Sequence, residues 1–358
     1  METTAAAPVV QTTVSDHIAL VTLSNPPVNA LSAAVRQGLQ KAISELNANA
    51  DVHAIVITGS GSNFIAGADI REFGLPPQEP LLPEVCNQIE ASNKLVIAAI
   101  HGAALGGGLE IALAAHYRVA VETAKLGLPE VALGLLPGAG GTQRTPRLIG
   151  AQAALDLMLS GRHAGAKEAL RMGLIDHIAT SNDIAAEGVA YARSLLSDGA
   201  PVRRSGEQTD ALADSAAQQA AIDAARADVA KKKGLFSPAK IVDCVQAALD
   251  QPFTEGLATE RELFVQCLNS PQRAGLVHAF FAEREVTKSP ETQSSQPRPF
   301  QKVGVIGGGT MGAGIAVALL DGGLNVTMIE RDDAALALGQ SRVAKVYDGL
   351  IKKGRLSE

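Results

Sequence analysis

The stretch His101-Gly102-Ala103-Ala104-Leu105-Gly106-Gly107-Gly108-Leu109-Glu110 follows the apolar run Val96 to Ile100 and leads into a second apolar run ending near Ala115. A strand that feeds a glycine turn and then a helix is the repeating unit of an α/β domain, whose ligands sit near the strand-to-helix loops. The N–H of a residue such as Gly107 falls at the positive end of that helix, where glycine lets a ligand come close. Glu110 lies three residues further on, about one helical turn away. A second glutamate, Glu130 in Leu128-Pro129-Glu130, precedes another glycine loop, Pro137-Gly138-Ala139-Gly140-Gly141. Two carboxylates at one site can hold a water and move its proton, and nearby backbone N–H groups can hold the oxyanion that such a reaction creates. The pattern points to acid–base chemistry on an activated acyl group. The plainer alternative is two surface glutamates beside tight turns, and spacing alone does not bring Glu130 opposite Glu110.

Outward from this stretch the same alternation continues. His17 to Leu23 and Ala54 to Thr58 read as strands. Ser32 is placed to cap a helix running to about Asn47, with Val35, Leu39, Ile43 and Leu46 on one face. Residues 59 to 69 form a glycine-rich loop ending in Ala66-Gly67-Ala68-Asp69. Pro83 to Asn93 reads as helix, Tyr117 to Val121 as strand, and helices follow the 137–141 loop to about residue 199. From about 203 to 290 the pattern is mainly helical, with Phe264, Leu268, Leu276, Phe280 and Phe281 as expected core. Residues 290 to 299 are polar and proline-rich, the clearest linker in the chain.

Beyond the linker, Lys302 to Gly307 reads as a strand. Gly307-x-Gly309-x-x-Gly312 then opens a helix to about Asp321, and a second strand, Asn325 to Ile329, ends at Glu330. A GxGxxG motif is weak alone. In this context, with an acidic residue eighteen positions after Gly312, it matches the dinucleotide fingerprint. Pyrophosphate is expected on the helix N-terminus, at Gly307, Gly309, Met311 and Gly312. Glu330 would accept from the ribose hydroxyls, which favours NAD over NADP. The alternative is a glycine-rich turn with no cofactor.

Composition narrows the function classes. At 358 residues about two domains are expected. A hydrophobic fraction of 46% and a charged fraction of 19% fit a folded chain with a sizeable core. A net charge of -6 gives no global attraction to nucleic acid, and with 3% aromatics and no tryptophan base stacking is not expected. Cys86, Cys244 and Cys267 match no metal knuckle or disulfide framework, so reduced thiols are expected. No metal-ligand pattern involves the histidines, and His101 is read as structural. The apolar region Leu95 to Val121 is broken by His101, Glu110, His116 and Arg118, so no membrane insertion is expected. Met1 to Val10 has no signal-peptide pattern.

Residues 15 to about 200 resemble the enoyl-CoA hydratase, or crotonase, family. The resemblance is carried by Asn29-Ala30-Leu31, by Phe64-Ile65-Ala66-Gly67-Ala68-Asp69-Ile70, by the His101–Glu110 stretch, and by Pro129-Glu130-Val131 continuing through Gly134-Leu135-Leu136-Pro137-Gly138-Ala139-Gly140-Gly141-Thr142-Gln143-Arg144. It implies a crotonase fold (a ββα superhelix), with catalytic Glu110 and Glu130 and an oxyanion hole formed by the N–H groups of Ala68 and Gly107. Ala66, Asp69, Ile70, Arg71 and Gly138 are expected to contact an acyl-CoA thioester. Arg71 reads equally well as a partner of CoA phosphates or as an ordinary surface residue. Lys94 stands where relatives commonly carry proline. The implied reaction is syn addition of water to a trans-2-enoyl-CoA, with no cofactor. The alternatives are a 3-enoyl-CoA to 2-enoyl-CoA isomerase and a non-catalytic acyl-CoA or NAD binding fragment.

Segment 302 to 331 resembles the start of 3-hydroxyacyl-CoA dehydrogenase, and the order of parts resembles the multifunctional β-oxidation enzymes. The implied layout is a hydratase/isomerase domain at 1–200, a helical connecting region at 201–290, a linker at 291–300, and the first part of a Rossmann domain at 301–358. The dehydrogenase's catalytic residues have no counterpart here, so a truncation is expected, with residues 300 to 358 loosely ordered or sticky. Dehydrogenase activity is expected only of a longer form. A monomer or a crotonase-type oligomer is compatible with the layout. A bacterial cytosol is the expected compartment, with a peroxisome as the alternative if a targeting signal lies beyond the C-terminus.

Overall fold

The computed structural model describes residues 8–72, 75–231, 234–288, 295–296, 298–352 and 356. Of the expected linker, residues 291–294 and 297 lie outside the described residues. The chain divides into two compact units, Met1–Glu283 and Arg284–Glu358.

The first unit is built on a six-stranded sheet formed by β1 (Val10–Ser15), β2 (Ile18–Leu23), β3 (Ala54–Gly59), β4 (Leu95–Ile100), β6 (Tyr117–Ala120) and β9 (His177–Ile178), in that order across the sheet. β1 pairs antiparallel with β2, and every other pair is parallel. Every residue of β3 and β4 is buried, as near-continuous apolar runs in a parallel sheet covered on both faces should be. A second, three-stranded sheet joins β5 (Ala103–Leu105), β7 (Lys125–Gly127) and β8 (His163–Gly165). Helices α1 (Ala33–Ala48), α2 (Leu82–Glu90), α3 (Gly107–Ala114), α4 (Gly141–Ser160), α5 (Ala166–Met172) and α6 (Ile184–Ser197) surround the sheets. Ser32 caps α1 by accepting from the Val35 N–H. At the other end of α1, Lys94 Nζ donates to the Leu46 carbonyl at 2.6 Å and to that of Asn49. The departure at position 94 thus supplies a cation to a helix C-terminus.

The main expected strands and α1 to α3 are observed within a residue or two, except that α2 ends at Glu90 rather than near Asn93. Strands β1, β5, β7, β8 and β9 were not expected. Most are two or three residues long, too short for alternation to register. Ala103–Leu105, read as part of a turn, pairs with β7 instead.

After residue 200 come α7 (Ser215–Lys231), α8 (Ser237–Asp250), α9 (Phe253–Leu268) and α10 (Pro271–Glu285). The first three pack against α4 within the same compact unit. α4 is broken at Gly150, and the freed Ala151 N–H donates to Gln218 Oε1 of α7 at 2.7 Å. The expected core of this region needs correction. Leu268 and Phe281 are exposed, and Phe264, Leu276 and Phe280 are only partly buried. The inward stripe of α9 is Gly256, Glu260, Phe264 and Cys267. A glutamate in its middle disguised the apolar pattern.

The second unit has a parallel pair, β10 (Lys302–Ile306) and β11 (Asn325–Ile329), with α11 (Thr310–Asp321) and α12 (Asp333–Lys352). Ile306, Met311 and Ile329 leave apolar side chains in solvent, the kind of surface expected from the sequence to be sticky.

Arg118 is the anchor for the far end of α3. Fully buried, it donates to the carbonyls of Ala115 (2.7 Å) and Leu174 (3.0 Å), and its charge faces Asp176. Asp176 also accepts from the Arg118 N–H at 2.8 Å and pairs with Arg203. Removing one partner of a buried pair costs about 3–5 kcal/mol. Asp176→Ala is therefore expected to lower unfolding free energy by about 3 kcal/mol in urea denaturation; an unchanged midpoint and slope would refute the anchoring role.

Candidate active site

Two extended segments are fastened around the start of α3. The Ile65 N–H donates to the Ala103 carbonyl, and the Leu105 N–H donates back to the Ile65 carbonyl, both at 3.1 Å. On the other side, the Leu31 N–H donates to the Gly67 carbonyl at 2.9 Å, and Leu31 bridges Ala68. Gly108 lies so close to Ile65 that a Cβ there would overlap the Ile65 carbonyl oxygen. The Cδ1 atom of Leu31 lies 3.1 Å from where a Cβ of Gly107 would be. Ala68 and Gly107 therefore share Leu31 as a neighbour. Gly107 opens α3, so its N–H has no intrahelical acceptor.

Glu110 is buried one turn into α3. Its Oε1 accepts from the N–H groups of Ala139 (2.7 Å) and Gly141 (2.9 Å) in the second glycine loop. Its Oε2 faces Gly107, 4.0 Å from the Cβ position there. Glu130 opens a 3₁₀ turn, Glu130–Leu133, that follows β7. Its Oε1 lies 3.1 Å from the Cβ position of Gly106. Its Oε2 is shut off from solvent and has no hydrogen-bond partner. Carboxylates twenty residues apart in sequence thus converge on the consecutive glycines 106 and 107.

Their electrostatic settings differ. Burial raises the Glu110 carboxyl above its usual range, and the two backbone N–H groups work against that rise. Burial raises Glu130 well above its usual range, and the nearby Glu110 charge pushes it further. Two close carboxylates cannot both ionise freely. Glu110, with two donors, is the one equipped to lose its proton, and Glu130 the one equipped to keep it.

A third carboxylate was missed in the sequence. Glu260, on α9, is buried and accepts from the Gly140 N–H (2.6 Å), the Thr142 N–H (3.0 Å) and the Thr142 hydroxyl (2.5 Å). Burial and then the charge of Glu110 push it up to about 8. Its only sequence signal is its place in an otherwise inward-facing stripe four residues after Gly256.

The other expected residues are distributed unevenly. Asp69 is buried and paired with Arg71 at 2.6 Å, which holds its carboxyl below the usual value. The Arg71 side chain is 75% exposed, open to a further anionic partner. Ile70 opens a short 3₁₀ turn and Ala66 is half-buried. Gly138 faces Phe264, 2.8 Å from its Cγ at the Cβ position, so its Cα is covered by α9. His101 Nε2 lies 3.1 Å from the Gly61 carbonyl oxygen, a loop contact.

In the second unit, the three motif glycines have three different surroundings. Gly307 turns the chain at φ +94°, Gly309 has open space around it, and a Cβ on Gly312 would overlap the Gly307 carbonyl. These match the tight turn, the backbone approach to pyrophosphate and the close packing that the fingerprint glycines provide. Glu330 follows β11, and its Oε1 accepts from the Gly308 N–H at 2.6 Å. Met311 is exposed on the first turn of α11. Among the described residues, no group of His, Cys, Asp and Glu is arranged to hold a metal ion, and no helix is long and apolar enough to cross a membrane.

Comparison with known proteins agrees with both units. Residues 13–247 match the family model "Enoyl-CoA hydratase/isomerase", and residues 302–358 match "3-hydroxyacyl-CoA dehydrogenase, NAD binding domain". A peroxisomal bifunctional enzyme of Danio rerio is 42% identical over 352 residues, covering 96% of this chain and 48% of its own. A peroxisomal fatty acid beta-oxidation multifunctional protein of Arabidopsis thaliana is 37% identical, with 96% and 49% covered. The chain therefore spans about half the length of the curated relatives it matches. Among solved structures, carnitinyl-CoA hydratase from Mycobacterium avium is similar with a TM-score of 0.58 at 28% identity, covering 78% of this chain and 97% of that one. With its fold and the larger part of its sequence in agreement, the chain belongs to the enoyl-CoA hydratase/isomerase family.

Proposed function

We propose that this protein hydrates trans-2-enoyl-CoA thioesters to 3-hydroxyacyl-CoA, as the hydratase part of a β-oxidation enzyme of the multifunctional type. The observation that carries this reading is the convergence of two unequally perturbed carboxylates, Glu110 buried and Glu130 half-buried with its Oε2 shut off from solvent, over the first residues of α3. A water held between them loses its proton to Glu110 as its oxygen bonds to C3. Glu130 gives its proton to C2. The thioester oxygen, which gains charge as C3 is attacked, is received by the N–H groups of Ala68 and Gly107, each such donor being worth on the order of 3 kcal/mol in the transition state. Asp69 holds the following turn through Arg71, which offers its exposed guanidinium to CoA phosphates. Ala66, Ile70 and Gly138 complete the substrate contacts we assign.

Isomerisation of a 3-enoyl-CoA would use the same glutamates but is not favoured. A purely binding fragment has no use for a carboxyl oxygen buried without a partner at Glu130.

Glu110→Gln and Glu130→Gln are each expected to lower kcat on crotonyl-CoA by about 10²–10⁴-fold. Ala68→Gly should stay within about threefold, because the donor is backbone. Gly107→Val should abolish turnover, since its Cβ position already lies 2.6 Å from Leu82 Cδ2. Turnover retained in either glutamate variant would remove these roles.

The kcat profile should be bell-shaped in pH, rising as the carboxylate pair loses its first proton and falling as it loses the second. The folded-state value of Glu130 lies above its unfolded value. Its contribution to stability is therefore full below the unfolded value and is lost as pH rises through the folded one. Glu130→Gln cannot ionise. It should match the wild-type melting temperature near pH 5 and exceed it near about pH 9. Equal melting temperatures across that range would contradict the assignment.

For the second unit we propose NAD as the cofactor. The N-terminus of α11 and Gly309 would hold the pyrophosphate, and Glu330 the ribose. In a longer form that carries the dehydrogenase's catalytic residues, NAD held here would supply the hydride acceptor for oxidation of the hydroxyl product. Titration with NADH should change its fluorescence, and Gly309→Val should weaken binding at least about tenfold by filling the approach to the pyrophosphate. Equal affinity of the variant would exclude this site. The Danio rerio and Arabidopsis thaliana relatives are peroxisomal enzymes, which supports the peroxisomal alternative for the compartment.

A further inference from the structure

Four successive N–H groups at the start of α4 are divided between two carboxylates. Those of Ala139 and Gly141 go to Glu110, and those of Gly140 and Thr142 go to Glu260. Consecutive peptide planes hinge at a single Cα, so holding the Gly140 and Thr142 N–H groups restrains, through the φ and ψ between them, the directions that the Ala139 and Gly141 N–H groups can take. The Thr142 hydroxyl adds a third bond to Glu260, and Arg144 Nη1 closes the loop on the Ala139 carbonyl at 3.0 Å. Residues 139–142 are all buried, so an N–H that lost its carboxylate here would be left unsatisfied.

Resting on the hydratase reading above, we propose that Glu260 is a positioning residue for hydration: by holding Gly140 and Thr142 it aims the Ala139 and Gly141 N–H groups at Glu110 Oε1, leaving Glu110 Oε2 to face the water. The helical region after residue 200 thereby takes part in the chemistry through the 139–142 loop.

The charges around Glu260 give the role a distinct signature. It faces Glu110 from α3, Glu130 from the 3₁₀ turn, Arg144 from α4, Cys86 from α2 and Cys244 from α8. Arg144 is already paired with Glu90 at 2.8 Å. An ionised Glu260 raises the Glu130 carboxyl, and so helps Glu130 keep its proton. Removing that charge moves the alkaline limb of the kcat profile to lower pH.

The test is crotonyl-CoA hydration across pH by the full chain and by Glu260→Ala, Glu260→Gln and the exposed control Glu262→Gln, with melting temperatures beside each. Glu260→Ala should lower kcat at least about tenfold with KM within about threefold. Glu260→Gln, which still accepts from the Gly140 N–H, should recover part of that loss. Both should move the alkaline limb down by about half a pH unit or more, and Glu262→Gln should move neither quantity. If Glu260→Ala does not fold, the limb in Glu260→Gln decides. Wild-type kcat and limb in the Glu260 variants would overturn the proposal, as would a loss that follows melting temperature with the limb unmoved. A wild-type chain without turnover would instead remove the hydratase reading, and this role with it.

Discussion

The structure depends on one close approach: the backbone of Gly108 against the carbonyl of Ile65. Any side chain at 108 would lever the start of α3 away from the 64–68 segment. That contact sets the N-terminal end of an eight-residue helix, and Arg118 sets the other by taking up its last carbonyls. A helix this short has little stability of its own. Its position is imposed at both ends, which is what a side chain such as Glu110 requires if it is to meet a water with a fixed oxygen.

Much of this was legible in the sequence because it depends on residue types with few substitutes. The runs at 54–58 and 96–100 announced strands of an α/β domain, Ser32 announced a helix start, and the glycine triplet announced a turn into a helix. The fingerprint glycines around 307–312 sat where a strand ends and a helix opens. What was hidden depends on distant partners. β5, β7 and β8 are three residues each, and they exist because they pair with one another. Leu268 and Phe281 read as core, yet the chain turns Glu260 inward and leaves them outside. A glutamate on a helix ordinarily marks the solvent face, and nothing local told this one apart. Its acceptors' donors lie well over a hundred residues earlier.

The interior is also unusually charged. Glu90 and Arg144 pair with one another, whereas Glu110 and Glu260 are held by backbone and hydroxyl donors and Glu130 Oε2 has no donor among the described residues. Burial raises all three carboxyls above the range they would have in water. Such a cluster costs stability, and proteins keep that kind of local conflict where chemistry needs it.

The break of α4 at Gly150 has a consequence for how the chain assembles. The N–H freed at Ala151 finds its acceptor in Gln218, and the loop at the start of the same helix finds Glu260. During synthesis a ribosome releases residues 1–200, with every strand of the main sheet, before either acceptor emerges. A nascent chain of that length carries α4 with the N–H groups of Gly140 and Thr142 at its start and of Ala151 at its middle still without their acceptors. Such contacts of long sequence separation close late, so α4 is completed only after α7 and α9 have left the exit tunnel. Until then, that half-finished helix is the place where a chaperone or a protease would find its hold.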